Sequence, residues 1–250
     1  MGLPGRELKT LSRVLLAAIF VVLTAGCPTG SLCWAADPPD EAGQKERLQK
    51  LVELLRPEIS DKRVLAAIAS VPRHWFVPES QLAQAYENHP LPIGEDQTIS
   101  QPFIVAYMTQ ALKLTGDEKI LEVGTGSGYQ AAVLSLTAGQ VYSVEIIGQL
   151  SARSAKVLER FGAKNVRLKV GDGFDGWIEQ APFDGIIVTA APEKVPGPLV
   201  AQLKEGGRLV IPLGAKWDQH LKTYIKRNGR LVEVDSLPVR FVPMTGKALR

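Results

Sequence analysis

The feature that most restricts the fold of this chain is a regular alternation of strand-like and helical segments between residues 102 and 211. Short runs rich in Val, Ile and Leu alternate with segments whose apolar residues recur every three or four positions. This alternation is typical of parallel strands joined by right-handed helical crossovers, so we expect an α/β protein with a mostly parallel central sheet. The predicted strands are Lys119–Val123, Gln140–Val144, Val166–Val170, Phe183–Val188 and Gly207–Ile211, and the predicted helices are Phe103–Leu114, Tyr129–Thr137, Leu150–Phe161 and Pro198–Leu203.

The C-terminal part predicts a change of strand direction. Asn228-Gly229, a pair typical of tight β-hairpins, lies between the strand-like runs Leu221–Lys226 and Arg230–Val234. We therefore expect the sheet to end in antiparallel strands.

The sequence before residue 102 indicates two helices followed by a long loop. Apolar residues at helical spacing indicate one helix over Glu46–Leu55 and a second capped by Asp61. Residues 74–101 contain three Pro and one Gly and show no clear period. Irregular loops of that length inside a compact domain are usually functional, which makes this stretch a candidate part of a site.

Composition excludes several classes of function. With 45% hydrophobic and 22% charged residues, the chain resembles an average globular protein and not a disordered or fibrous one. The net charge of +3 is small, and no clustered Lys/Arg points to nucleic acid as a partner. The three histidines are scattered and no metal-ligand spacing appears, so we expect no metal site.

Residues 1–35 are predicted to be a secretory signal peptide and not part of the fold. Three basic residues precede an apolar run over residues 14–25, and small residues follow it. The run is shorter than the ~20 residues that a spanning helix needs, so we expect no stable membrane insertion of the mature chain. Cleavage after Ala35 would export the protein to the periplasm, with residues 36–45 as a linker and 46–250 as one domain.

Two alternatives to this interpretation stay open. Thr24-Ala25-Gly26-Cys27 approximates a lipoprotein box, so lipid attachment at Cys27 competes with cleavage after Ala35, and an unused signal would leave the protein in the cytoplasm. Both cysteines, Cys27 and Cys33, lie in this segment. Cleavage after Ala35 would leave no thiol, which excludes disulfides and thiolate catalysis, and would lower the net charge to +1.

A glycine-rich loop follows the first predicted strand of the sheet. Glycines at positions 124, 126 and 128 open onto a predicted helix, and glycine permits both a tight turn and the close approach of a ligand. A dinucleotide site uses Gly-x-Gly-x-x-Gly, but the third position of that pattern is Tyr129. The spacing therefore disfavours an NAD-dependent oxidoreductase.

Acidic residues accompany the ends of these strands. Glu122 lies just before the loop, where a carboxylate suits the ammonium and sulfonium of S-adenosylmethionine. Glu145 follows the second strand, where it can accept both ribose hydroxyl protons, and Asp172 follows the third, where it can receive an adenine amino group. Each alone is also consistent with a solvated strand end or a simple turn. Because ligands bind at the C-terminal ends of strands in open α/β sheets, their combination predicts a pocket for S-adenosylmethionine.

Longer stretches resemble the protein-L-isoaspartate O-methyltransferase family. The resemblance extends from about Lys50 to Thr245, and the segment Thr98–Pro102 is its specific part, because many methyltransferases share the glycine loop. The four most similar segments are Pro90–Pro102, Glu122–Ala132, Gly171–Gly173 and Gly206–Gly214. This resemblance implies a Rossmann-like class I S-adenosylmethionine methyltransferase. It also implies a reaction, methylation of the α-carboxylate of L-isoaspartyl residues in aged proteins, after which the ester collapses through a succinimide toward aspartate.

The resemblance also implies roles for individual residues. It places the catalytic serine on Ser100, which would donate a hydrogen bond that orients the acceptor carboxylate. From its position alone, Ser100 is better interpreted as the N-cap of the helix that begins near Pro102. The implied cofactor-binding residues, of which Thr245 is matched only to a C-terminal Thr in some members, are Gly94, Gln97, Thr98, Ile99, Glu122, Gly124, Thr125, Gly126, Ser127, Gly128, Glu145, Ile146, Gly171, Asp172, Gly173 and Thr245.

The implied reaction agrees with the lack of an obvious catalytic histidine. A carboxylate with a pKa of about 3.9 is ionised at pH 7, so it needs no strong general base. We expect catalysis to come from positioning that carboxylate in line with the methyl group, in a monomer that binds peptides and proteins containing L-isoaspartyl residues. Two alternatives remain: a carboxyl methyltransferase for another substrate, and an exported cofactor-binding protein without turnover.

Overall fold

The computed structural model describes residues 41–215 and 218–249. The predicted signal peptide, cleavage after Ala35 and lipid attachment at Cys27 lie outside the described residues, as does the first half of the predicted linker. Within the described part, no helix is both long and apolar enough to cross a membrane.

A seven-stranded sheet lies at the centre of the described structure, and a separate two-stranded hairpin precedes it. The hairpin consists of β1 (Leu91–Gly94) and β2 (Gln97–Ile99). The strands of the large sheet are β3 (Lys119–Val123), β4 (Gln140–Glu145), β5 (Val166–Val170), β6 (Phe183–Val188), β7 (Leu203–Ala215), β8 (Asp218–Arg227) and β9 (Arg230–Val239). Their order across the sheet is β5-β4-β3-β6-β7-β8-β9.

The type of pairing changes once across this sheet, from parallel to antiparallel. The pairs from β5 through β7 are parallel, whereas β7–β8 and β8–β9 are antiparallel. This confirms the predicted α/β fold with antiparallel C-terminal strands. In β3, Val123 pairs with Val144 of β4 and with Val188 of β6, so three strands end at one edge of the sheet.

The helices cover both faces of the sheet. They are α1 (Glu41–Leu55), α2 (Lys62–Ser70), α3 (Pro102–Ala111), α4 (Tyr129–Ser135), α5 (Gly148–Phe161) and α6 (Gly197–Gln202). In β3, Ile120 packs with Met108 of α3 on one face, and Leu121 packs with Leu199 of α6 on the other. Such two-sided burial explains why the inner parallel strands β3 and β6 are rich in apolar residues.

The N-terminal helices differ from the prediction at one end. α1 begins at Glu41, five residues before the predicted start, so the second half of the predicted linker is helical. An acidic residue in the first turn is favourable because it faces the positive end of the helix dipole. The predicted cap of α2 is confirmed, since the Asp61 carboxylate accepts hydrogen bonds from the backbone N–H groups of Arg63 at 2.8 Å and Val64 at 3.3 Å.

The stretch from residue 74 to 101 is more ordered than predicted. It contains the hairpin of β1 and β2, in which Leu91 pairs with Ile99, and two short 3₁₀ turns over Arg73–Phe76 and Glu79–Gln84. The prediction of an irregular loop is therefore wrong for part of this stretch. The hairpin ends one residue before Ser100, so a regular element holds the segment that the resemblance makes catalytic.

Candidate active site

The loop between β3 and α4 requires glycine for steric reasons. Gly124, Gly126 and Gly128 have φ angles of 97°, 52° and 88°, in the left-handed region that other residues rarely adopt. A Cβ on Gly124 would lie 2.3 Å from the hydroxyl oxygen of Thr189, the residue that follows β6. Thr189 in turn donates a hydrogen bond to the Gly124 carbonyl at 2.7 Å. The loop is thus packed directly against the end of β6.

The carboxylate of Glu145 holds the loop from the end of β4. The side chain is only 5% exposed. Its Oε2 accepts the backbone N–H of Gly126 at 2.8 Å, and its Oε1 accepts that of Ile147 at 2.9 Å. Each carboxylate oxygen has two acceptor sites, so one remains on each oxygen. Glu145 therefore fits a ligand with two neighbouring hydroxyls, such as a ribose.

Glu122 lies beneath the glycine loop, where it is fully buried. Its Oε2 accepts a 2.5 Å hydrogen bond from the Ser143 hydroxyl, which lies 2.5 Å from the Thr125 hydroxyl, and its Oε1 has no partner among the described residues. Burial, opposed by the Ser143 hydrogen bond and reinforced by Glu145, raises the pKa of Glu122 to about 8. A mostly neutral carboxyl does not attract an ammonium group. This placement argues against the predicted contact with the cofactor and makes Glu122 a support for Thr125.

Asp172 also has a different surrounding from the one predicted. Its Oδ1 accepts the backbone N–H of Phe174 at 2.9 Å, and its Oδ2 accepts that of Lys247 at 2.8 Å. Lys247 also pairs with Asp175 at 2.5 Å. Asp172 therefore ties the C-terminal segment to the end of β5, and the adjacent Gly173 is the residue of this turn that lines the cavity.

The ends of β3, β4 and β6 open into one cavity, here called the cofactor cavity. Most of the predicted site residues line it: Gln97, Thr98, Ile99, Ser100, Gly124, Thr125, Gly126, Ser127, Glu145, Ile146, Gly173 and Thr245. The predicted residues that lie outside its lining are Gly94, Glu122, Gly128, Gly171 and Asp172. Gly128 instead occupies the N-cap position of α4.

Sequence reasoning missed about half of the lining. The additional residues are Val105, Val123, Tyr129, Gln130, Val144, Ile147, Thr189, Ala190, Val242, Pro243 and Met244. Thr189 follows a predicted strand, so the rule that ligands bind at strand ends could have identified it. The segment Val242–Met244 gives no such signal. It reaches the site because the Ala191 N–H donates to the Val242 carbonyl and the Met244 N–H donates to the Ala191 carbonyl, both at 2.8 Å.

Ser100 lies where the cofactor cavity meets a second cavity. The second cavity, here called the acceptor cavity, has a volume of about 380 Å³. The residues that line both cavities are Thr98, Ser100, Thr189 and Val242. The helix-cap interpretation of Ser100 is wrong, because the N-cap residue of α3 is Gln101 and no side chain caps that helix. The half-buried Ser100 side chain is thus available at the junction of two spaces.

The remaining lining of the acceptor cavity comes from three places. It comprises Pro90 before β1, residues near the start of α3, and the end of β9 with the chain that follows it. The full set is Pro90, Thr98, Ser100, Gln101, Phe103, Ile104, Thr189, Leu237, Pro238, Val239, Arg240, Phe241 and Val242. Within the described residues, no group of three or more His, Cys, Asp or Glu is placed to hold a metal ion.

The fold and this site together define an S-adenosylmethionine-dependent methyltransferase: a mostly parallel sheet, a glycine loop after its central strand, and a carboxylate at the end of the next strand. The model of the family described as protein-L-isoaspartate(D-aspartate) O-methyltransferase matches residues 46–249. The chain belongs to this family.

Curated relatives with the same family name cover most of the chain. A protein-L-isoaspartate O-methyltransferase of Gloeobacter violaceus is 52% identical over 195 residues, which are 77% of this chain and 95% of the relative. A second relative, protein-L-isoaspartate O-methyltransferase 2 of Syntrophobacter fumaroxidans, is 46% identical over 245 residues, 94% of this chain and 99% of its own length.

Two solved structures support the same fold. A protein-L-isoaspartate O-methyltransferase superposes with a TM-score of 0.75 at 32% identity, covering 80% of this chain and 67% of the other. A putative family member from Plasmodium falciparum, solved with S-adenosyl-L-homocysteine, superposes with a TM-score of 0.68 at 25% identity, covering 81% of this chain and 98% of the other. These matches confirm the predicted Rossmann-like fold and the cofactor.

Proposed function

We propose that this chain transfers a methyl group from S-adenosylmethionine to the α-carboxylate of L-isoaspartyl residues in damaged proteins, which begins their repair. The observation that carries this proposal is the position of Ser100 at the junction of the cofactor cavity and the acceptor cavity. Family membership and the names of the relatives support the choice of acceptor. S-Adenosylmethionine supplies a methyl group activated by a positively charged sulfur.

The residues of the cofactor cavity fit an adenosyl group. Glu145 keeps one acceptor site on each carboxylate oxygen for the ribose hydroxyls. A Cβ on Gly173 would lie 2.3 Å from the Val123 side chain, so the wall after β5 also requires glycine. We assign the adenosyl group to this cavity, whose lining includes the glycine loop, Glu145, Ile146 and Thr245.

The chain's own part in the reaction is orientation. The acceptor carboxylate is already ionised at neutral pH, so no residue has to remove a proton. Ser100 would donate a hydrogen bond from its hydroxyl to one carboxylate oxygen and so orient the other oxygen toward the methyl group. Thr189 cannot act as a second donor, since its proton is shared between the carbonyls of Val123 at 3.0 Å and Gly124 at 2.7 Å. Orientation of this kind lowers barriers by as much as about 7–11 kcal/mol.

The test of the proposed function uses two matched peptides that differ only in L-isoaspartate or L-aspartate at one position. Residues 36–250 are incubated with methyl-labelled S-adenosylmethionine and each peptide. Label on the isoaspartyl peptide alone supports the proposal. Equal labelling of both peptides would favour a carboxyl methyltransferase with another substrate, and cofactor binding without any label would favour a binding protein without turnover.

Glu145→Gln is expected to weaken binding of S-adenosylhomocysteine about 10- to 100-fold, because hydrogen bonds to a charged group contribute roughly 1.5–3 kcal/mol. The amide cannot accept both backbone N–H groups that the carboxylate now accepts, so the loop also loses one anchor. Isothermal titration calorimetry measures the change. Glu159→Gln, on the exposed face of α5, is the matched control and should leave the affinity unchanged. If Glu145→Gln also leaves the affinity unchanged, Glu145 does not bind the cofactor.

We also propose that the protein is exported and works as a monomer. The basic residues and apolar run of the N-terminus support export. N-terminal sequencing of protein from each cell fraction tests export: a sequence that begins at Ala36 supports it, and an intact Met1 in the cytoplasm contradicts it. Size-exclusion chromatography tests the oligomeric state: elution at the mass of one chain supports a monomer, and elution at twice that mass contradicts it.

A further inference from the structure

Arg73 is the largest fully buried side chain of the described residues, and it contacts the backbone of Ser100. It begins the first 3₁₀ turn and is 0% exposed. Its guanidinium donates to three backbone carbonyls, at 2.5 Å to Ala85, 3.2 Å to His89 and 3.1 Å to Ser100. One buried cation therefore joins three separate parts of the chain.

The buried charge of Arg73 carries a cost in stability. None of the ion pairs found within residues 41–215 and 218–249 involves Arg73, and its Nε has no partner there. Burial lowers the pKa of Arg73 to about 10, so the group stays charged at pH 7. Burial of a charge that no carboxylate compensates is costly. Carbonyl dipoles and the Tyr129 ring, whose centroid lies 5.7 Å from the guanidinium carbon, offset part of that cost.

The two carbonyls that accept from Nη2 lie at the two ends of the β1–β2 hairpin. His89 comes shortly before β1, and Ser100 comes directly after β2. These strands have only four and three residues, and a two-stranded hairpin is at best marginally stable without further packing. Arg73 thus closes the open end of the hairpin at the residue whose side chain faces the junction of the two cavities.

We propose that Arg73 is a positioning residue, which fixes the Ser100 carbonyl and thereby the direction of the Ser100 hydroxyl. The inference rests on the proposed role of Ser100 and adds a residue that acts through it without touching substrate or cofactor. Tyr129 links the same guanidinium to the wall of the cofactor cavity, since its ring packs on Arg73 and the residue lines that cavity. Lysine cannot replace arginine here, because one ammonium does not reproduce the planar fork that spans three carbonyls.

The first measurement compares Arg73→Met with Arg63→Met. Arg63 also donates to two backbone carbonyls, of Leu114 at 3.1 Å and Thr137 at 3.4 Å, but near the N-terminal ends of β3 and β4, at the edge of the sheet opposite the site. We expect Arg73→Met to lower kcat for the isoaspartyl peptide at least tenfold, with the Kd of S-adenosylhomocysteine changed less than twofold. Arg63→Met should lower the melting temperature and leave kcat within twofold. Equal kcat in the two variants would overturn the proposal.

The decisive measurement is a double-mutant cycle with Ser100→Ala, which separates action through Ser100 from general loss of structure. If Arg73 acts through Ser100, Arg73→Met should lower kcat less than twofold in the Ser100→Ala background. A further tenfold loss in that background would show an independent effect and contradict the inference. If Arg73→Met fails to fold, Arg73→Lys replaces it in the double-mutant cycle, and the same limit of a twofold change in kcat in the Ser100→Ala background applies. A wild-type protein that does not label the isoaspartyl peptide would refute the proposed function instead.

Discussion

Ser100→Ala is expected to lower kcat for an isoaspartyl peptide about a hundredfold, since displacing a reacting group by about 1 Å can cost that much in rate. The alanine variant loses the hydroxyl donor at the junction of the two cavities, and the acceptor carboxylate is then free to rotate away from the methyl group. The Kd of S-adenosylhomocysteine should change less than twofold, because the loop and Glu145 stay in place. Initial-rate kinetics and calorimetry on the same preparation measure both quantities.

The control for this prediction is the free energy of unfolding. If Ser100 capped α3, its loss would cost about 0.5–2 kcal/mol of stability. The N-cap is Gln101 and no side-chain hydrogen bond caps the helix, so we expect Ser100→Ala to change stability by less than that. Ser100→Thr keeps a hydroxyl and should retain part of the activity. Full turnover in Ser100→Ala would contradict the assigned role.

Glu122→Gln is expected to stabilise the protein, and increasingly so as the pH rises. The pKa of Glu122 is about 8 in the folded protein against 4.5 for an ordinary glutamate. Because the folded-state pKa is raised, the native carboxyl contributes its full stability below pH 4.5 and loses it as the pH rises toward 8. At one pKa unit for each 1.36 kcal/mol, the loss amounts to roughly 3–5 kcal/mol at pH 8. Glutamine stays neutral and still accepts the Ser143 hydrogen bond, so it avoids this loss.

Urea unfolding at several pH values measures the difference between variant and wild type. The difference in the free energy of unfolding should grow between pH 5 and 8 and become constant above about pH 8, the folded-state pKa.

Glu118→Gln is a control for which the opposite change in stability is expected. Burial raises the pKa of Glu118, but hydrogen bonds from Thr115 and Gly116 outweigh it and hold the pKa at about 2. That variant should be less stable than wild type at neutral pH, with the difference vanishing as the pH falls toward 2. A pH-independent effect of Glu122→Gln would show that Glu122 is ionised in the fold.

Local sequence patterns were sufficient to predict the sheet and the cofactor loop. Strands β3, β5 and β6 have the predicted bounds, since the Val, Leu and Ile residues of each strand form a short local run. Glu145 could be predicted because its position depends on a strand end and a glycine loop, both of which are local. The first turn of α1 was missed because its acidic, glycine-containing sequence also suits a linker.

Residues placed by tertiary contacts could not be predicted in this way. The segment Val242–Met244 reaches the cavity only through hydrogen bonds with Ala191, some fifty residues earlier. Arg73 in an isolated sequence is an ordinary cation beside a proline, and its burial under Ser100 depends on how the hairpin folds back. The surroundings of Glu122 and Asp172 differ from the expected ones for the same reason, since Glu122 accepts a hydrogen bond from Ser143 and Asp172 accepts two backbone N–H groups.

The antiparallel extension has a consequence for how such enzymes diversify. Leu237, Pro238 and Val239 of β9 line the acceptor cavity, whereas no described residue of β8 or β9 lines the cofactor cavity. β9 therefore contributes to the acceptor cavity alone, although Thr98, Ser100, Thr189 and Val242 line both cavities. Exchange of the β8–β9 hairpin between relatives should alter which damaged proteins are accepted while the affinity for the methyl donor stays the same. Selection can thus adjust the range of clients of a repair enzyme without disturbing its chemistry.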